Sequence, residues 1–97
     1  MSHEIKERET IIKLLNVLFP NVKVYLFGSR ARGDHTERSD VDLALDAGRK
    51  LTRDEVATAR SVIEGLPMLQ TVDVVDLNSV SSPFREEILK EVIRWEI

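Results

Sequence analysis

Two short segments of the sequence combine glycine, hydroxyl, guanidinium and carboxylate groups at spacings that suit phosphate and metal chemistry. The first is Gly28-Ser29-Arg30-Ala31-Arg32-Gly33, and the second is Ser39-Asp40-Val41-Asp42-Leu43. Residues two apart in a strand point to the same face, so Asp40 and Asp42 are expected side by side. Neighbouring carboxylates repel each other, and a divalent cation such as Mg²⁺ or Mn²⁺ removes that cost. The second segment is therefore a candidate metal site.

The glycine-containing segment just before these acids offers the groups that bind phosphate. Gly28 lets the backbone approach a ligand closely, and Ser29 offers a hydroxyl and a backbone N–H. Arg30 and Arg32 add forked donors that match phosphate oxygens. Phosphate donors followed by metal-binding carboxylates on a neighbouring strand predict a site for a metal-bound nucleoside triphosphate.

A third carboxylate is selected by its position in the next strand. If Val72 and Val74 lie on the buried face, Asp73 lies on the same open face as Asp40 and Asp42. Asp76 has the opposite parity unless the strand has already ended, so the choice between Asp73 and Asp76 stays open. Asp73 is the better candidate for completing a two-metal site or for acting as a general base.

The elements that position these residues follow from hydrophobic periodicity and from helix caps. We expect one domain over residues 1–97, of the α/β or α+β class, in the order helix, strand, loop, strand, helix, strand, helix. The predicted elements are a helix over Ser2–Phe19, a strand over Val22–Phe27, a polar loop with room for one helical turn over Gly28–Ser39, a strand over Asp40–Asp46, a helix capped by Thr52 and ending near Gly65, a strand over Val72–Leu77, and a helix capped by Ser82 that buries Phe84, Ile88, Leu89, Val92 and Trp95.

Composition excludes several classes of protein. The chain has 97 residues, of which 42% are hydrophobic, so it can fill one core. Seventeen acidic and fourteen basic residues give a net charge of −3, which argues against direct binding of duplex nucleic acid. The absence of cysteine excludes disulfides and cysteine zinc sites. Without an apolar run long enough for a membrane span or a signal peptide, a cytoplasmic protein is expected.

Three motifs, one with glycines and two with aspartates, together resemble the minimal nucleotidyltransferase family of the DNA polymerase beta-like superfamily. The motifs are the two segments above and Val72-Asp73-Val74-Val75-Asp76-Leu77. The resemblance implies a small nucleotidyltransferase fold, in which a mixed β-sheet has helices packed on one face and an open catalytic face. It further implies that Asp40, Asp42 and Asp73 bind two Mg²⁺ ions and that Gly28 and Ser29 hold the triphosphate of ATP. Arg30 and Arg32 are assigned to phosphate contact at the entrance.

The resemblance also implies a partner. Small members of the family are commonly encoded beside a helical HEPN-type toxin that cleaves RNA, and they act as its antitoxin. The implied reaction transfers AMP from ATP to a hydroxyl of the partner, a tyrosine, within a hetero-oligomer. The alternative is a non-catalytic module that binds nucleotide and partner and neutralises the HEPN toxin by occlusion.

Overall fold

A computed structural model describes residues 5–96, which form four helices and four strands. In chain order they are α1 (Arg8–Leu18), β1 (Lys23–Phe27), α2 (Ser29–Arg32), β2 (Val41–Asp46), α3 (Arg53–Glu64), β3 (Val72–Asp76), α4 (Ser82–Lys90) and β4 (Ile93–Trp95). Part of the first predicted helix, residues 2–4, lies outside the described residues. Within residues 5–96, none of the helices is long and apolar enough to cross a membrane.

The strands form one mixed sheet in the order β3-β2-β1-β4. β1 runs antiparallel to both β2 and β4, whereas β2 and β3 are parallel. This mixed α/β architecture confirms the fold class predicted from the sequence. Because β1 is antiparallel to β2, the turn that leaves β1 lies at the same end of the sheet as the beginning of β2.

The main hydrophobic core lies between one face of the sheet and helices α1 and α3. Its fully buried members alternate along the strands, as the strand pattern predicted. They include Ile11 and Leu15 from α1, Ala59 and Ile63 from α3, and Val24, Leu26, Val41, Leu43, Leu45 and Val74 from the sheet. Asp42 and Asp73 consequently point to the other face, away from this core.

The second face of the sheet is covered in part by α4. Ile88 packs with Ala44 and Leu77 in a smaller buried cluster. On the same face, Asp73 is exposed and Asp42 is half-buried, so this part of the face is not fully covered. The prediction that α4 buries Phe84 and Leu89 is wrong, since these side chains are 43% and 45% exposed. The helix is only nine residues long and turns a narrow stripe toward the sheet.

The C-terminal segment differs from the prediction. Val92 and Trp95 were assigned to the last helix, but α4 ends at Lys90 and Ile93–Trp95 form a strand. β-Branched and aromatic residues favour a strand there, and β4 pairs with the edge of β1 that β2 leaves free, with Trp95 opposite Val24. Trp95 is buried as predicted, although from a strand.

Two helix starts are defined by side-chain caps. The predicted capping box of α3 is confirmed: Thr52 Oγ1 accepts from the Glu55 N–H at 3.1 Å, and Glu55 accepts from the Thr52 N–H at 2.9 Å. α4 is capped by Ser81 rather than by the predicted Ser82, which is its first residue. The cap lies one residue earlier than predicted. Proline is tolerated at the start of a helix, so Pro83 is compatible with a cap at either serine.

Candidate active site

The parallel pairing of β2 and β3 places two aspartates directly beside each other. Asp42 is in register with Asp73, one residue after the start of each strand. Asp42 is half-buried, and its pKa is raised by burial first, and then by the negative charges of Asp73 and Asp40. Arg32 opposes that shift by lowering the pKa of Asp42. The site thus concentrates negative charge around a partly desolvated carboxylate.

Asp40 lies just before β2 rather than within it. The strand begins at Val41, where the sequence had predicted a start at Asp40. Asp40 is exposed, and it is close enough for its charge to raise the pKa of Asp42. All three predicted acids therefore lie at the same end of the sheet.

The turn after β1 packs Gly28 against Asp42. Phe27, the last residue of β1, is in register with Asp42, and Gly28 follows with a φ of +78°. A Cβ built on Gly28 would overlap the Asp42 carboxylate oxygen Oδ2. Glycine is required here twice, for its positive φ and for this close approach. The phosphate-binding turn and the metal-binding carboxylate predicted from sequence are therefore in direct contact.

Ser29 opens the one-turn helix α2, which lies inside the predicted loop. The helix ends at Gly33, whose N–H donates to the Ser29 carbonyl oxygen at 2.9 Å with a left-handed φ of +85°. Ser29 is half-buried and directly follows Gly28, beside the carboxylate of Asp42. This short turn fixes Ser29 at the edge of the acidic site.

Arg30 has a different place from the one predicted. It is only 3% exposed, and its guanidinium donates to the carbonyl oxygens of Ser39 at 3.2 Å, Thr36 at 3.2 Å and Glu37 at 3.0 Å. A buried guanidinium bonded to backbone carbonyls is held away from a ligand. Arg30 therefore supports the loop that leads into Asp40, and the assignment of this side chain to phosphate contact is not retained.

Arg32 lies beside the Gly28 turn, and its contact with phosphate stays a prediction. It is exposed, and its guanidinium lies 3.2 Å from an Asp34 oxygen and 3.7 Å from a Glu91 oxygen. Arg32 and Gly28 line a cavity of about 380 Å³ together with Phe84 of α4. Phe84 also makes an edge-to-face contact with Phe27, at 6.5 Å between ring centroids. Sequence analysis missed this contribution of α4 because it placed Phe84 in the core.

Asp73 has a cationic neighbour that the sequence did not reveal. Arg60 of α3 reaches Asp73 with 3.2 Å between Nη2 and Oδ1, and the same nitrogen donates to the Val74 carbonyl oxygen at 2.8 Å. Arg60 follows the buried Ala59 on its helix, so helical periodicity predicts only that it faces outward. Its contact with Asp73 depends on how α3 lies across the edge of the sheet, for which the sequence holds no signal.

Asp76 has a structural position. It is 4% exposed, and its carboxylate accepts from the Leu51 N–H at 2.7 Å, from the Asn78 N–H at 3.1 Å and from the Ser79 hydroxyl. It is the last residue of β3, at the far end from Asp73, and its parity places it on the opposite face. Asp73, and not Asp76, shares a face with Asp42.

Comparison with known proteins assigns the chain to a family. Residues 9–94 match the model of the family described as polymerase beta, nucleotidyltransferase. The chain belongs to this nucleotidyltransferase family. It is also 38% identical to the probable protein adenylyltransferase MntA of Haemophilus influenzae, over 90% of this chain and 78% of that protein.

Solved structures of toxin–antitoxin complexes resemble this nucleotidyltransferase. A toxin–antitoxin structure with AMP-PNP superimposes with a TM-score of 0.70 and 28% identity, over 92% of this chain and 72% of that one. The complex of a tri-AMPylated Shewanella oneidensis HEPN toxin with its MNT antitoxin gives a TM-score of 0.64 and 25% identity, over 93% and 69% of the two chains. The resemblance to minimal nucleotidyltransferases drawn from the motifs is confirmed.

The residues of this nucleotidyltransferase fit the divalent cation that its fold family implies. Asp40, Asp42 and Asp73 offer hard oxygen donors. The pKa of Asp42 is raised by burial first and then by the charges of Asp73 and Asp40, and a cation would offset both effects. Within the described chain, however, no three acidic or histidine side chains are gathered into a ready metal cluster. Such a partial donor set suits Mg²⁺, which takes one or two carboxylates together with water and substrate phosphate oxygens.

Proposed function

We propose that this nucleotidyltransferase transfers AMP from ATP to a tyrosine hydroxyl of a HEPN-type toxin and acts as its antitoxin in a cytoplasmic hetero-oligomer. The similarity to a probable protein adenylyltransferase MntA supports the reaction. The similarity to a structure with AMP-PNP and to the complex of an AMPylated HEPN toxin supports the nucleotide and the partner.

The observation that carries the proposal is the contact of the Asp42–Asp73 pair with the Gly28 turn. A nucleotidyl transfer needs phosphate-binding groups directly beside the carboxylates that act on the α-phosphate. Gly28 approaches Asp42 so closely that a larger residue would displace the Asp42 carboxylate. Asp73 lies on the opposite side of Asp42 from this turn, since β2 is between β1 and β3.

This arrangement assigns a role to each group. Gly28 and Ser29 hold the triphosphate, and Arg32 contacts it at the entrance. The acceptor oxygen attacks the α-phosphorus, so that a new P–O ester bond forms while the bond to the β-phosphate breaks and pyrophosphate leaves. Asp73 accepts the proton of the hydroxyl as a general base. Most of the rate enhancement comes from positioning the reactants and from electrostatic stabilisation.

Asp40, Asp42 and Asp73 would hold the metal, two Mg²⁺ ions or Mn²⁺ in their place. When bound, the metal supplies charge neutralisation at the phosphate oxygens and lowers the pKa of the acceptor hydroxyl. The three aspartates would position the metal, and the Gly28 turn would hold the phosphates beside these aspartates.

The proposal is tested by intact mass measurement of the product of the neighbouring reading frame, the proposed HEPN-type toxin, after incubation with the protein, ATP and Mg²⁺. The expected result is a gain of one or more AMP units by the toxin, abolished by Tyr→Phe substitution at the modified residue. Toxin that forms a complex without gaining mass, and is inactivated all the same, would contradict AMP transfer. That outcome would favour neutralisation by occlusion.

A further inference from the structure

A wide groove in the described part of the chain runs along the outer edge of β3. It has a volume of about 880 Å³ and lies beside the first half of α3. In the sheet formed by residues 5–96, β3 is the terminal strand and lies beside β2. The floor of the groove is apolar and includes Val56, Val75 and Val80, each partly exposed. Apolar surface in a concave site favours the binding of another apolar group.

The rim of this groove is cationic. Lys50, Arg53 and Arg60 line it, in a protein whose net charge is −3. Asp76, the one acidic residue in the described lining, is buried and accepts hydrogen bonds from Leu51 before α3 and from Asn78 and Ser79 in the turn after β3. An occupant of the groove therefore meets positive charge above an apolar floor, and complementarity requires an acidic segment with apolar side chains.

The groove adjoins the acceptor side of the candidate active site. Arg60 lines the groove and lies 3.2 Å from the carboxylate of Asp73. The turn at Gly28 lies on the other side of Asp42, because the sheet order is β3-β2-β1. When a nucleotide is held at Gly28, the side of Asp42 that faces β3 thus stays accessible to the group that receives the nucleotidyl unit.

We propose that this groove binds the protein segment that carries the acceptor hydroxyl, and that this segment is acidic and partly apolar. The inference rests on the proposed function, which it deepens by naming the recognition chemistry of the acceptor. The floor is aliphatic, and the described lining holds none of the aromatic side chains on which RNA bases stack, so it favours a peptide over an RNA strand. Lys50 and Arg53 at the rim select the acidic segment by its charge. Arg60 lies between the groove and Asp73.

Binding of two synthetic peptides tests the proposal directly. Both contain one tyrosine flanked by leucines; one carries glutamates beside them, and the other has glutamine at the same positions. Fluorescence anisotropy without ATP should show about tenfold tighter binding of the acidic peptide, a preference that weakens with added salt. Arg53→Glu should reduce the preference to about threefold or less, because it reverses one rim charge. Glutamate is well tolerated in the first turn of a helix, so α3 should stay folded.

Lys13→Glu is the matched control, since it makes the same change of charge at an exposed position of α1, outside the groove. It should leave the peptide preference unchanged. Equal binding of both peptides, no binding of either, an Arg53→Glu variant that behaves like Lys13→Glu, or tighter binding of a single-stranded RNA oligonucleotide would each overturn the proposal. These measurements need no ATP, so a failure of nucleotidyl transfer to the toxin is a separate result.

Discussion

The paired strands β2 and β3 carry aspartates at both ends, in opposite circumstances. Where the strands begin, Asp42 faces Asp73, and burial and like charge raise the pKa of Asp42. Where they end, Asp46 and Asp76 accept hydrogen bonds from the surrounding loops. Aspartates thus stabilise the fold where the strands end, whereas they repel each other where the strands begin.

The contrast is clear in the hydrogen bonds at the end of the strands. Asp46 accepts from the Gly48 N–H and from the Asn78 side-chain amide, each at 2.9 Å, and these bonds lower its pKa, the amide of Asn78 more strongly. Asp76 ties Leu51 and the 78–79 turn to the sheet. At the other end, Arg32 and Arg60 relieve the repulsion only in part, since the pKa of Asp42 stays raised. Such a site is typical of functional residues, where a ligand supplies the compensating charge.

The largest expected effect is that of Asp42→Asn on nucleotidyl transfer. The substitution keeps the shape of the side chain but removes a charged oxygen ligand, and transfer to the toxin should fall by about a thousandfold, equivalent to about 4 kcal/mol of transition-state stabilisation. Transfer rates under saturating ATP measure the effect. Asp54→Asn, at an exposed position in the first turn of α3, is the control and should keep its activity. Near-normal transfer by Asp42→Asn would contradict the assignment.

Gly28→Ala should lower transfer by about a hundredfold, because the new methyl group displaces the Asp42 carboxylate. Stability should fall by about 1 kcal/mol as alanine is forced to a positive φ. Gly48→Ala separates the two effects, since Gly48 has a φ of +79° with open space around its Cα. It should lose similar stability in chemical denaturation while transfer persists. Equal loss of transfer in both variants would show that backbone strain alone explains the result.

Asp76→Asn should destabilise the fold by about 2 kcal/mol, because an amide nitrogen would face hydrogen-bond donors in a buried site. Transfer per folded molecule should remain close to that of the wild type, in contrast to Asp42→Asn. Urea unfolding and an activity assay on the folded fraction measure the two quantities. A stable variant with abolished transfer would reverse the roles of the two strand ends.

The smallest effect is expected from acid titration of Glu55. Arg49 first, and then the Thr52 N–H, lower the pKa of Glu55 from 4.5 to about 2. A lowered pKa means that the carboxylate contributes stability above pH 4.5, and that this contribution is lost as the pH falls toward 2. Between pH 4.5 and pH 2, the thermal unfolding midpoint should therefore fall less in Glu55→Gln than in the wild type. The hypothesis fails if the wild type and the variant decline in parallel.

The sequence predicted the positions that alternation and caps determine, and missed those that depend on tertiary contacts. Parity along β2 and β3 selected Asp42 and Asp73 for one face, and the Thr52–Glu55 spacing predicted the start of α3. Parity could not show that Arg30 turns inward to three backbone carbonyls, because its neighbours in space lie in a loop without periodicity.

The C-terminal segment was mispredicted for a related reason. Trp95 has helical spacing from Ile88, and this local pattern favoured one long helix. The free edge of β1 supplied backbone hydrogen bonds that stabilise a strand instead. The ion pair of Arg60 with Asp73 was likewise invisible, since it joins two elements through their packing.

The proposed site requires that Asp42 and Asp73 form a repulsive pair that a divalent cation relieves. Thermal unfolding of the wild type and of Asp42→Asn at neutral pH, in the presence of ATP with and without Mg²⁺, tests it most directly. Without Mg²⁺ the variant should unfold at the higher temperature, because a carboxylate with a raised pKa costs stability once it is ionised. Mg²⁺ should raise the midpoint of the wild type and leave that of the variant unchanged. A variant less stable than the wild type without Mg²⁺, or an equal response of both proteins to Mg²⁺, would contradict the account.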